Sequence, residues 1–143
     1  MRVILMIAAV AAAATATAAG AAIGRVKIAS GAALIERGKA RLPATVGMPL
    51  EKGDTLVTGR NGRIGVTFND DTRMAAGPNA RVSLAEYSFD DTTHRGQSLT
   101  RVDRGSLAIV SGKMAKANRD AMRVRTPTSL LGVRGTRFVV DVK

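Results

Sequence analysis

Leu56-Val57-Thr58-Gly59-Arg60-Asn61-Gly62-Arg63-Ile64-Gly65-Val66-Thr67-Phe68 is the stretch on which the fold turns. Ile64, Val66 and Phe68 alternate with Arg63, Gly65 and Thr67, the period-two pattern of a strand with one buried face. Asn61-Gly62 separates this strand from Leu56-Val57-Thr58, and both turn residues tolerate the positive φ of tight hairpins. Downstream, Asn69-Asp70-Asp71 precedes Thr72-Arg73-Met74, and Gly77-Pro78-Asn79 precedes Arg81-Val82-Ser83-Leu84. The pattern predicts a meander of consecutive strands joined by short turns.

The same alternation recurs outward in both directions. Val26 and Ile28 alternate with Arg25 and Lys27, Leu107 and Ile109 with Ser106 and Ala108, and Phe138, Val140 and Val142 with Val139, Asp141 and Lys143. Runs of about four to seven residues are ordinary strand lengths. The polar stretch between Tyr87 and Gln97 reads as a long exposed loop, and residues 113–122, with Met114, Ala117 and Ala121 at helical spacing, as a loop or one short helix. Gly24, Gly62 and Gly105 each open an alternating apolar pair without a fixed period, which stacked β layers tolerate. The expectation is an all-β domain of short strands, a twisted β-solenoid-like layering in preference to a β-sandwich.

Met1-Arg2, the apolar run from Val3 to Val10 and the small residues Ala16-Thr17-Ala18-Ala19 have the form of a secretory signal peptide over residues 1–18, a helix cleaved near 18/19. Its rival is a retained anchor, which would give the chain its one membrane contact. The predicted location is periplasmic or secreted. The chain has no cysteine, so an exported fold cannot rest on disulfides and must be held by packing and strand pairing.

The net charge of +11 attracts polyanions or keeps the domain soluble. Aromatic residues make up 3% of the chain, too few to build a base-stacking platform, so nucleic acid is not expected as a partner. Arg63, Arg73, Arg81, Arg123 and Arg125 are the candidate cations of an anion-binding stripe, provided that they share one face.

Several segments, taken in order, resemble the FecR family of bacterial envelope proteins. They are Gly53-Asp54 with Thr58-Gly59, the run Gly62 to Phe68, Pro78-Asn79, Tyr87, Thr126-Pro127 and the closing Gly132-Val133-Arg134-Gly135-Thr136-Arg137-Phe138. The resemblance spans residues 24–142. It implies an all-β periplasmic domain with a β-solenoid-like twist, acting in signal transduction across the envelope. In the regulators that name the family, a cytoplasmic part controls a sigma factor and the periplasmic part senses an outer-membrane transporter. Only Met1-Arg2 precedes the apolar segment here, so the sensor fold is expected and sigma-factor control is not.

Physical roles follow for these residues. Asp54 suits a turn in which its carboxylate accepts backbone amides. Gly132 and Gly135 bracket Val133-Arg134 at a sharp turn, where Arg134 either pairs an internal carboxylate such as Asp54 or helps to cradle an anion.

Catalytic chemistry finds little support. His94 is the only histidine and lies in a polar stretch, short of what a zinc site or a Ser-His dyad needs. Asp70-Asp71 and Asp90-Asp91 read as solvated turn carboxylates and not as a hydrolytic pair. The sequence therefore predicts no cofactor, no metal and no enzyme. It predicts a module that recognises another envelope protein or, in the alternative, a carbohydrate or anionic cell-wall polymer.

Overall fold

The computed structural model describes residues 21–143, so the leader reading of residues 1–18 lies outside the described residues. Twelve strands and one helix follow in chain order: β1 (Ala22–Ser30), β2 (Ala33–Arg37), β3 (Ala40–Pro43), β4 (Pro49–Glu51), β5 (Thr55–Thr58), β6 (Arg63–Phe68), β7 (Arg73–Ala76), β8 (Arg81–Phe89), β9 (Gly96–Val110), α1 (Lys113–Ala117), β10 (Met122–Arg125), β11 (Leu130–Gly132) and β12 (Arg137–Val142). The class is all-β. Among the described residues no helix is long and apolar enough to cross a membrane.

All twelve strands belong to one curled sheet, which pairing divides into two wings sharing only β9. In the first wing β4, β1, β6, β7, the C-terminal part of β9 and β12 lie side by side. In the second, β3, β2, β5, β8, the N-terminal part of β9, β10 and β11 do. Every pairing is antiparallel except β10 with β9. Among its crossings between wings, the chain passes directly from one to the other at β1–β2, β5–β6, β7–β8 and within β9, and each such pair of segments makes one bent rung.

The expected meander is therefore corrected. Within β5 to β8 only β6 and β7 form a hairpin; β5 pairs with β2 and β8, and β7 with β6 and β9. Asn61-Gly62 and Gly77-Pro78-Asn79 are corners. Their chemistry shows why: Gly59 N donates to Ala32 O (2.9 Å), Asn79 N to Gly59 O (3.0 Å), and the Asn61 Oδ1 accepts from Ala32 N (3.2 Å). Buried Thr58 donates its hydroxyl to Gly77 O (2.7 Å) and accepts from Ala80 N (2.8 Å). These bonds tie each turn to neighbouring corners, while β5 and β6 on either side take their partners in different wings.

Two further expectations change. β9 runs fifteen residues because it bends without breaking, Gly105 taking φ +85° where the chain passes Ala80. The loop after Tyr87 shrinks to residues 90–95, since β8 and β9 pair as far as Phe89 with Gly96. The ambiguous 113–122 stretch holds only the five-residue α1.

The inner faces of both wings contribute to one core, with Val26, Ile64 and Ile109 from the first and Ile35, Leu56 and Val102 from the second. Phe68 and Tyr87 stack across it at 5.2 Å. Asp70, expected in solvent, is fully buried. Its carboxylate accepts from the Thr72 hydroxyl (2.7 Å), the Tyr87 hydroxyl (3.0 Å), Thr72 N (3.3 Å) and Met114 N (3.2 Å). Enough donors converge to replace water. Asp71, in contrast, is exposed and faces Lys113 at 3.4 Å.

Two predictions follow from these contacts. A Cβ at Gly62 would lie 2.0 Å from Ala32 O, whereas Gly38, also at a turn (φ +60°), has nothing within 4 Å. In denaturant unfolding, Gly62→Ala is expected to cost about 3 kcal/mol, the upper range for overpacking, and Gly38→Ala only about 1–2 kcal/mol of left-handed backbone strain.

Burial, with the Asp70 charge beside it, raises the Tyr87 hydroxyl pKa above its ordinary value of 10.0. The neutral phenol is thus favoured in the folded state. Its contribution is complete below pH 10 and is lost as the pH climbs toward the raised pKa. Melting curves of wild type and Tyr87→Phe should differ by about 1–3 kcal/mol below that pH, reflecting a lost bond to a buried carboxylate, and should converge in strong alkali. Parallel curves at every pH would contradict this assignment.

Candidate interaction surface

On the outer face of the first wing, registers align five residues into a cross-strand row: Ile28 opposite Gly65, Gly65 opposite Ala75, Ala75 opposite Ala108, and Ala108 opposite Val139. Val139 is 72% exposed and Ile28 51%. Alternation alone would bury Ile28 with Val26. A bulge between Val26 and Ile28 instead turns it outward, where it lies over Gly65. The small central residues leave a shallow groove of about 320 Å³ between these two larger side chains.

A second row runs beside the first: Arg25, Thr67, Arg73, Val110 and Arg137 are successive cross-strand partners. Arg25 donates to Gly47 O (3.1 Å). Among the described residues, Arg25, Arg73 and Arg137 make no ion pair, and neither does Arg63 at the other side of the groove. The face thus joins an apolar strip to uncompensated positive charge.

The five arginines singled out in the sequence are not brought into one stripe. Arg63 and Arg73 stand on the first wing, Arg81, Arg123 and Arg125 on the second. Arg81 is committed internally, 2.8 Å from Glu36 and 3.7 Å from Asp103, and its hydrogen bond holds the Glu36 carboxyl below the usual range. Arg123 and Arg125 flank a depression of about 170 Å³ that Glu86 and Asp120 also line.

The motif residues have structural neighbours. Asp54 is buried, accepts from Glu51 N (2.8 Å), and receives Arg37 in a two-pronged bond through Nε (2.9 Å) and Nη2 (2.8 Å). Arg37, which carried no local signal in the sequence, is therefore the partner, and the Asp54–Arg134 pairing is corrected. The bond to Asp54 also raises the Arg37 pKa above its ordinary value. Arg134 lies 3.6 Å from Asp120, both 70% exposed. Gly53 and Gly135 take positive φ, while Gly132 lies in β11 without a close neighbour.

Thr126 closes the β10–β11 turn with Ser129, and Pro127 sits within it. Gly135 O accepts from the Ser111 hydroxyl (2.8 Å) and Thr136 O from Ser111 N (2.9 Å), so Val133, buried between Arg134 and β11, and Phe138 are set against the core. His94 is exposed and stacks on Phe89 at 6.2 Å.

Geometry of this kind defines an all-β scaffold with an exposed apolar strip bordered by arginines. A family model described as "FecR protein" matches residues 54–143, and the chain belongs to the FecR family. No curated protein and no solved structure matches it.

Removing either partner of the buried pair should be costly: Arg37→Ala strands the Asp54 carboxylate and is expected to lose about 3 kcal/mol in chemical unfolding. Arg134→Ala removes only an exposed contact and should cost less than about 1 kcal/mol. Equal losses would return Arg134 to the core network.

Proposed function

We propose that the chain is an exported, non-catalytic sensing or protein-interaction module of the bacterial envelope, engaging another envelope protein through the outer face of its first wing. Family membership favours a signalling or interaction role. The form of residues 1–18 favours export. The observation that carries the choice of face is the exposed strip from Ile28 to Val139 beside Arg73 and Arg137. Apolar strips rimmed by charge suit a protein partner better than a simple polyanion. On this reading the bent rungs act as solenoid-like layers, each presenting one residue of the strip.

A second reading is favoured by Arg63, Arg73, Arg123 and Arg125, which have no carboxylate partner among the described residues: a binder of anionic cell-wall polymer or glycan. Site-directed photo-cross-linking in intact envelopes separates the two. A cross-linker at Ala75 should trap a protein adduct that Arg73→Glu abolishes, and one at Ser83 on the second wing should not. Absence of any adduct, together with polymer binding that collapses as salt screens exposed charges, would instead support the second reading.

A further inference from the structure

Four strands close the edges of the sheet, and three are protected against pairing with another chain. β4 has three residues and begins at Pro49, β3 carries Arg41 and ends at Pro43, and β11 has three residues including Gly132. Shortness, proline and charge are the usual defences of an exposed edge. β12 is longer and free of proline, and its two charges are of opposite sign: six residues, Arg137-Phe138-Val139-Val140-Asp141-Val142, in unbroken register with β9 on one side. Among the described residues no strand pairs with its other side. Along that side an open groove of about 560 Å³ separates β12 from the β10–β11 hairpin, lined by Pro127, Leu131, Phe138, Val140 and Val142.

We propose that β12 is a homodimerisation strand, pairing antiparallel with β12 of a second copy about a two-fold axis through Val139. The sequence selects both partner and register. Centring on Val139 sets Arg137 opposite Asp141 of the second copy and Asp141 opposite its Arg137. Among the described residues, neither has an ion pair. It also sets Val139, 72% exposed, against itself on the outer face, and Phe138 against Val140 on the inner face above the groove. Centring on Val140 would oppose Arg137 to Lys143, like against like. Two copies so joined make one continuous outer face, with the apolar row running through the axis. This inference requires the fold alone and is independent of which partner that face recognises.

Sedimentation equilibrium on the purified protein should show a monomer–dimer equilibrium in the micromolar range, since a six-residue edge is smaller than a standard interface. Asp141→Arg should weaken association about tenfold or more, because it turns two opposite-charge pairs into like-charge pairs. The reversed double variant, Arg137→Asp with Asp141→Arg, should restore it. The chain has no native cysteine, so Val139→Cys should form a disulfide-linked dimer under oxidation, while Val46→Cys, in an equally exposed loop, should not. A monomer at every concentration, a dimer indifferent to both charge variants, or equal cross-linking from the two cysteine variants would overturn the proposal.

Discussion

Thr58 gives its hydroxyl proton to the carbonyl of Gly77 and takes the amide of Ala80, while Thr58 N donates to Ala80 O. Those three bonds fix the β5–β6 corner on the β7–β8 corner, and Ala32 bonded to Gly59 adds the β1–β2 corner to the same stack. Burying so many backbone groups without partners would cost several kcal/mol. Thr58, Gly62 and Ala80 can be buried at these corners because each corner satisfies the next, and close approach demands glycine at Gly62 and Gly105, where a Cβ would meet Ala32 O or Ala80. Once the corners are stacked, the strands leaving them are forced into two wings, and the registers within each wing follow.

The far ends of the wings need a separate tie, which Asp70 supplies. Its carboxylate holds the β6–β7 turn, Tyr87 of β8 and the amide of Met114 at α1 together, and Phe68 stacks on the Tyr87 ring. An ionised carboxylate served by hydroxyls and amides gains charge-assisted bonds roughly twice as strong as neutral ones. With corners at one end and this network at the other, no disulfide is needed, in keeping with a chain that contains no cysteine.

Strand positions were legible because period two survives in single residues: Ile64, Val66 and Phe68 are buried as their alternation implies, and Val139 is exposed beside buried Val140. Strand partners were not. Asn61-Gly62 has hairpin chemistry, yet Gly62 is required for contact with Ala32, thirty residues earlier in the chain, a constraint that no local pattern carries. The same holds for Arg37 and Asp54, and for Ile28, whose outward turn depends on a bulge read only from its pairing with β6. The echo of Gly62 and Gly105 did carry information: both mark points where the chain leaves the corner stack and enters the first wing. The family motif was readable as a string, and the structure shows that its glycines, Thr58 and Asp54 chiefly build corners and ties.

That division of labour bears on the proposed docking face. Residues spent on corners and internal ion pairs are unavailable to a partner, as Arg81 shows by its engagement with Glu36 and Asp103. What is left over is the outer face of the first wing, where a bulge exposes Ile28, small residues keep the sheet surface low, and Arg73 makes no ion pair among the described residues. Leaving Val139 and about half of Ile28 exposed forfeits part of the roughly 1.5–3 kcal/mol that fully burying each side chain would yield. A fold that satisfies Asp70 with four donors does not leave such area open through poor packing, and an occupant covering that strip would recover the missing burial while its carboxylates met the arginines.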